Sequence, residues 1–135
     1  ATAMIFGSLV LTMVHLSFAF TDIYPYVPMV LLGISFSLIP AAMWPSLVKL
    51  VDYKQMGTAY GLMYSIQNLG LFATPIAAGA ILDATNPGNP ITLNYTPTII
   101  MFAVLGLMGV VFAFLLKRED SKRGFGIDLP MNRDS

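Results

Sequence analysis

Apolar residues fill four long stretches of the chain, and charged residues gather in the connections between them. The uncharged stretches run from Ala3 to Phe20, Val27 to Val48, Ala59 to Leu82 and Thr98 to Leu116. A helix of about 20 residues crosses a hydrocarbon core of about 30 Å, and an ion at its centre costs about 2.5 to 3.5 kcal/mol on insertion scales. The pattern therefore predicts an all-α, polytopic transmembrane helix bundle with four spans at about 3–20, 27–48, 59–82 and 98–116.

The composition favours a membrane protein over a soluble domain. The chain of 135 residues is 56% hydrophobic and 10% charged, which is more apolar surface than a soluble chain of this length normally buries. It has no cysteine, so disulfide chemistry does not indicate a compartment. The N-terminal sequence ATAMIFGSLV lacks an initiator Met, a basic region and a small-residue cleavage site. We therefore interpret it as the start of a fragment and not as a signal peptide.

The seven basic and seven acidic residues give a formal net charge of zero, but their positions are uneven. Lys49 and Lys54 lie between the second and third stretches, and the remaining basic residues follow the fourth: Lys117, Arg118, Lys122, Arg123 and Arg133. By the positive-inside rule, both regions face the cytoplasm, and so does the C-terminus. Residues 117–135 mix both signs with Gly and Pro and are expected to form a disordered cytoplasmic tail.

The second stretch contains two prolines in the half nearer to Lys49. Pro40 and Pro45 each remove a backbone donor, so the helix is expected to kink or loosen between Phe36 and Trp44. Pro40, Trp44 and Pro45 are therefore candidates for a gate, although Trp44 at this depth is also typical of an interfacial anchor. In the same stretch, Ser37 is a candidate to bond either a substrate or a carbonyl of its own helix.

The third stretch has an unusually polar face. Its spacing places Tyr60, Tyr64, Gln67 and Asn68 close together on one side of a helix, where amide groups need several partners. We prefer hydrogen bonding between helices as the role of these four residues, and the alternative is that they are candidates for lining a substrate cavity. Gln67 and Tyr64 are the preferred cavity residues, because they lie deepest on the shared face.

Small residues repeat beside this polar face. Gly57, Gly61 and Ser65 follow one another at four-residue spacing, and Gly79 lies farther along. Such a stripe is typical of close packing between membrane helices. His15 is the one histidine of the chain. It is either a proton relay or, as we prefer, a neutral histidine bonded to a neighbouring group.

The sequence contains no pattern that predicts catalysis. It has no glycine-rich phosphate loop, no zinc-spaced His and Cys set and no paired carboxylates within a span. We therefore expect no enzyme activity, no cofactor and no metal. Basic residues lie only at the predicted membrane edges, so binding to nucleic acid is not expected either.

The phrase GTAYGLMYSIQNLG, with Pro75 and the ending GAILD at Asp83, resembles the eleventh transmembrane helix of a major facilitator superfamily transporter. Together with the upstream MWPSLVKLV, it most resembles the branch that contains the animal lysosomal dipeptide transporter. The resemblance implies that the chain is a fragment of a twelve-helix fold, comprising its ninth to twelfth helices.

The same resemblance implies a function and a set of partners. The protein would move a small solute, dipeptides in particular, by alternating access. The lipid bilayer and the other eight helices of the transporter would surround it. The membrane would be the plasma or the lysosomal membrane, and a possible accessory subunit stays open. From the residues alone, a tetraspan scaffold that moves no solute is the alternative.

Overall fold

The computed structural model describes residues 1–21, 24–88 and 91–129, and in these ranges the chain is helical. The helices are α1 Thr2–Phe20, α2 Tyr26–Leu50, α3 Met56–Thr85 and α4 Thr96–Arg123, with a short 3-10 turn at Tyr53–Gln55. All four α-helices are long and apolar enough to cross a membrane. The prediction of an all-α bundle with four spans is confirmed.

The helices alternate in direction, so that α1 and α3 begin where α2 and α4 end. We call this end of the bundle the basic end, because it carries Lys49 and Lys117. There, Lys117 Nζ donates to Thr2 Oγ1 at 3.0 Å, which joins the end of α4 to the start of α1. At the opposite end, Asn94 N donates to Asn86 Oδ1 at 2.7 Å, and this contact joins the end of α3 to the start of α4.

The first helix packs between α2 and α4, while α3 makes fewer contacts with the other helices. The contact between α1 and α4 depends on two glycines of α4. A Cβ added to Gly106 would lie 2.7 Å from Thr12 Oγ1, and one added to Gly109 would lie 3.1 Å from Ser8 Oγ. Glycine has no side chain, so the two helices can approach each other closely. In lipid, where the hydrophobic effect does not bring helices together, such close packing stabilises their association.

The prolines do not divide α2. The helix runs from Tyr26 to Leu50 with Pro40 and Pro45 inside it, so the expected loosening between residues 36 and 44 does not interrupt it. Each proline removes one backbone hydrogen bond, but the bonds of the surrounding turns remain. Next to Pro45, the buried Ser46 donates its hydroxyl to the carbonyl of Ala42 at 2.7 Å.

The fourth helix continues beyond its predicted end at residue 116. It reaches Arg123. The Arg123 side chain donates a hydrogen bond at 2.5 Å to Glu119, which lies one turn earlier in the helix. Pairs at this spacing stabilise exposed helical turns. Residues 117–123 continue the helix and residues 124–129 form turns and irregular structure, which differs from the disorder expected for the tail. The rest of the predicted tail, residues 130–135, lies outside the described residues.

Candidate functional site

Three aromatic side chains join α2 to α3 in the half of the bundle nearer to the basic end. The Trp44 ring stacks on Tyr60 with centroids 5.5 Å apart and lies against Tyr64 with centroids 4.6 Å apart. The Tyr60 hydroxyl also donates to the Trp44 carbonyl at 3.2 Å. We call these three residues the aromatic cluster. Stacked and tilted rings at such distances attract each other beyond the area that they bury.

The geometry of α3 explains how two of its residues meet one tryptophan. Tyr60 and Tyr64 are four residues apart, so their side chains lie above one another on the same side of the helix. Trp44 of α2 contacts both rings and is half-buried. The structure thus brings one predicted gate residue into contact with two predicted cavity residues.

A cavity of about 750 Å³ opens beyond the aromatic cluster, away from the basic end. It is lined by Phe36 of α2, Phe102 of α4 and six residues of α3: Gln67, Gly70, Leu71, Thr74, Pro75 and Ala78. Its volume lies in the range of about 300 to 1,000 Å³ that is common for small-ligand sites, and such sites are mostly apolar with a few polar groups.

The polar groups of this wall are Gln67 and Thr74. Thr74 donates its hydroxyl to the Gly70 carbonyl of its own helix at 2.7 Å, so Gln67 presents the amide group of the wall. Gln67 lies three residues after Tyr64, or about 4.5 Å farther along α3. The aromatic cluster therefore lies about one helical turn from Gln67, on the side of the cavity that faces the basic end.

Two other predicted cavity residues lie elsewhere. Asn68 is next to Gln67 in sequence, but its amide donates to the Tyr64 carbonyl at 2.8 Å along its own helix. Ser37 is exposed and is not among the residues that line the cavity. Ser35, two residues earlier in α2, is fully buried and donates to the Leu31 carbonyl at 2.9 Å.

The two prolines proposed for a gate occupy different surroundings. Pro40 is half-buried in the turns between Phe36, which lines the cavity, and Trp44. Pro45 is exposed beside a second, smaller cavity of about 400 Å³ at the basic end. Neither proline is among the residues that line the cavity, so a gate role for Pro40 and Pro45 stays a prediction.

The small-residue stripe of α3 does not face another helix of the described chain. A Cβ added to Gly57, Gly61 or Gly79 would meet nothing within 4 Å. Ser65 is exposed and donates to the Gly61 carbonyl at 2.9 Å. Packing of these residues against helices outside this chain stays a prediction.

Sequence reasoning missed the two phenylalanines of the cavity, because apolar residues in a span give no signal of their own. Phe102 stacks on His15 of α1 with ring centroids 5.6 Å apart, and His15 Nδ1 lies 2.8 Å from the Leu11 carbonyl. This histidine therefore supports the back of the cavity wall. Across residues 1–21, 24–88 and 91–129, no group of three His, Asp or Glu residues could hold a metal ion.

Comparison with known proteins connects this arrangement to a family. Residues 1–125 match the protein family described as "Ion channel regulatory protein UNC-93". The lysosomal dipeptide transporter MFSD1 of Homo sapiens is 42% identical over 104 residues, which are 77% of this chain and 21% of that protein. MFSD1 of Danio rerio is 54% identical over 69 residues, covering 51% of this chain and 15% of that protein.

The chain thus spans at most about a fifth of the length of these relatives. No solved structure matches it significantly.

Proposed function

The chain belongs to the UNC-93 family of major-facilitator-type membrane proteins, and we propose that it forms the last four spans of a secondary transporter for a small solute. In such a transporter, two six-helix halves rock about a site near the middle of the membrane. The observation that carries the proposal is the cavity lined by Gln67, with the aromatic cluster next to it on the side of the basic end.

Dipeptides are the solute class that we propose, since the relatives are named as dipeptide transporters. The Gln67 amide can both donate to and accept from a peptide group. The residues that line the cavity carry no charge, so the charged termini of a dipeptide would be held by the other helices of the transporter. Alternating access would require the aromatic cluster to separate when the cavity opens toward the basic end.

The proposal is tested by solute counterflow in proteoliposomes that contain the full-length protein. Dipeptides, free amino acids and sugars would be offered separately at two pH values. Saturable exchange of dipeptides is the expected result, and its dependence on pH would show whether protons are coupled. Absence of exchange for every solute by folded protein would contradict the proposal.

Loss of the Gln67 amide is predicted to impair transport more than folding. Gln67→Ala should lower the initial rate of dipeptide exchange about tenfold, because a desolvated solute group loses its hydrogen-bond partner. Exchange is measured per amount of folded protein in the proteoliposomes. Asn68→Ala is the matched control, since the Asn68 amide bonds its own helix. Parallel losses of exchange and folded yield in Gln67→Ala would reject the cavity role.

The basic end is predicted to face the cytoplasm, and the C-terminus with it. Single cysteines introduced by Lys49→Cys or Arg118→Cys should resist an impermeant thiol reagent added outside intact cells, and they should react once the membrane is permeabilised. Labelling from outside would overturn this orientation.

A second candidate is a protein that binds a partner without moving a solute. It is favoured by the family description, which is that of an ion channel regulatory protein. The small-residue stripe of α3 also faces no other helix of the described chain. A folded protein that exchanges no solute but copurifies with another membrane protein would support this candidate.

A further inference from the structure

The chain turns back on itself after α4 and covers the basic end of the bundle. Gly124 and Gly126 have φ angles of 69° and 67°, a left-handed conformation that glycine adopts without strain. Between these turns and Leu129, Ile127 is buried, with 7% of its surface exposed. We call residues 124–129 the C-terminal clasp.

One side of the clasp is held by the last turn of α2. Lys49 Nζ donates to the carbonyls of Gly126 at 2.7 Å and Ile127 at 3.3 Å, and it also donates to the carbonyl of Leu129. An ammonium group has three donors, so these three carbonyls match its full capacity. Hydrogen bonds from a charged donor are stronger than those between neutral groups.

The other side of the clasp is held by the first turn of α1. Asp128 Oδ2 accepts a hydrogen bond from Thr2 Oγ1 at 2.7 Å. From α4, Asp120 Oδ1 accepts from Ile127 N at 3.2 Å. The clasp therefore ties together the ends of α1, α2 and α4.

Lys49 and Trp44 share one helix, five residues or about 7.5 Å apart. A movement that withdrew Trp44 from the tyrosines of α3 by shifting the end of α2 would also withdraw Lys49 from the clasp carbonyls. We propose that the aromatic cluster bars the path to the cavity from the basic end, that the C-terminal clasp holds α2 in this position, and that the clasp releases when the cavity opens toward the basic end. The part of this inference that concerns transport rests on the proposed function, and the part that concerns access to the cavity is tested without transport.

The first test measures access to the cavity and needs no transport. In the full-length protein, Gly70→Cys places a thiol in the cavity wall, where an added Cβ meets nothing within 4 Å. An impermeant thiol reagent is then applied from the side of the basic end. Lys49→Met should raise the labelling rate about tenfold, because a lost set of contacts shifts the population toward the open state. Lys49→Arg should restore slow labelling.

Lys54→Met is the matched control, because Lys54 is an exposed lysine of the connection that follows α2. It should leave the labelling rate unchanged. Equal rates in Lys49→Met and its parent, at equal folded yield, would overturn the proposal. If Lys49→Met lowers the folded yield, Asp128→Ala releases the opposite side of the clasp and serves the same comparison.

The second test cross-links the C-terminal clasp to α1. Thr2→Cys and Asp128→Cys are joined by a short, reducible bifunctional thiol reagent, and dipeptide counterflow is measured before and after reduction. Cross-linking should lower exchange about tenfold and reduction should restore it, while each single-cysteine variant should respond to neither treatment. Full exchange by the cross-linked protein would overturn the release step. If no variant exchanges any solute but the labelling rates still differ as expected, the transport function fails and the clasp stands.

Discussion

Replacing Trp44 by alanine is expected to lower dipeptide exchange by the full-length protein at least tenfold and to accelerate labelling of a Gly70→Cys thiol from the basic end. The change removes two ring contacts of α2 with α3. Each such aromatic pair contributes about 0.5 to 1.5 kcal/mol, so the closed arrangement would lose about 2 kcal/mol, or roughly thirty-fold in population. Exchange and labelling are both measured per amount of folded protein.

Two further variants separate the ring contacts from other effects. Trp44→Phe keeps an aromatic ring against the tyrosines and should lose less exchange than Trp44→Ala. Tyr60→Phe removes only the 3.2 Å hydrogen bond to the Trp44 carbonyl. It should lower dipeptide exchange a few-fold at most, because one neutral hydrogen bond contributes about 1 kcal/mol. If Trp44 is an interfacial anchor instead, Trp44→Ala will lower the membrane yield and leave exchange per folded molecule unchanged.

The four helices could be predicted because the free-energy cost of placing a charge inside the membrane outweighs the other contributions to where a span can lie. Charge is so costly at membrane depth that the positions of charged residues alone mark the spans. The same criterion misplaced the end of α4, since it stopped the helix at the first charge. Pairing between Glu119 and Arg123 lets the helix continue outside the apolar run.

The site could be predicted only in part, because helical spacing defines a face but not the helix that covers it. The spacing grouped Tyr60, Tyr64 and Gln67 on one side of α3. In the structure the two tyrosines contact Trp44, and Gln67 lines the neighbouring cavity. Asn68 was grouped with them, although an adjacent residue is turned by about 100° and here bonds its own helix. Which side of α3 faces α2 is decided by tertiary packing, and helical spacing alone does not determine it.

The clasp could not be predicted from local pattern. Lys49 was interpreted as a marker of the cytoplasmic side, and its polar contacts are backbone carbonyls 77 or more residues away. Every residue type carries the same backbone carbonyl, so no sequence motif indicates which carbonyls accept the hydrogen bonds of Lys49.

The contact between α1 and α4 leads to the largest expected effect on folding. Gly106→Leu should lower the folded yield of the full-length protein severely, because its Cβ would lie 2.7 Å from Thr12 Oγ1 and 3.4 Å from Thr12 Cα. Thr12 Oγ1 already donates to the Ser8 carbonyl at 2.8 Å, so it cannot turn aside without losing that bond. Overpacking of this kind costs about 1 to 3 kcal/mol or more. The monodisperse fraction after detergent extraction and the thermal midpoint measure it.

Gly33→Leu is the matched control, since an added Cβ on Gly33 of α2 meets nothing within 4 Å. A pair of smaller changes locates the strain. Gly106→Ala alone should destabilise the protein, and Thr12→Ala should recover much of that loss when the two are combined, because it removes the oxygen that the new methyl group meets. The remaining 3.4 Å approach to the Thr12 backbone is an ordinary contact. Additive losses in the double variant would mean that the two residues do not interact, and the close approach of α1 to α4 at Gly106 would then be wrong.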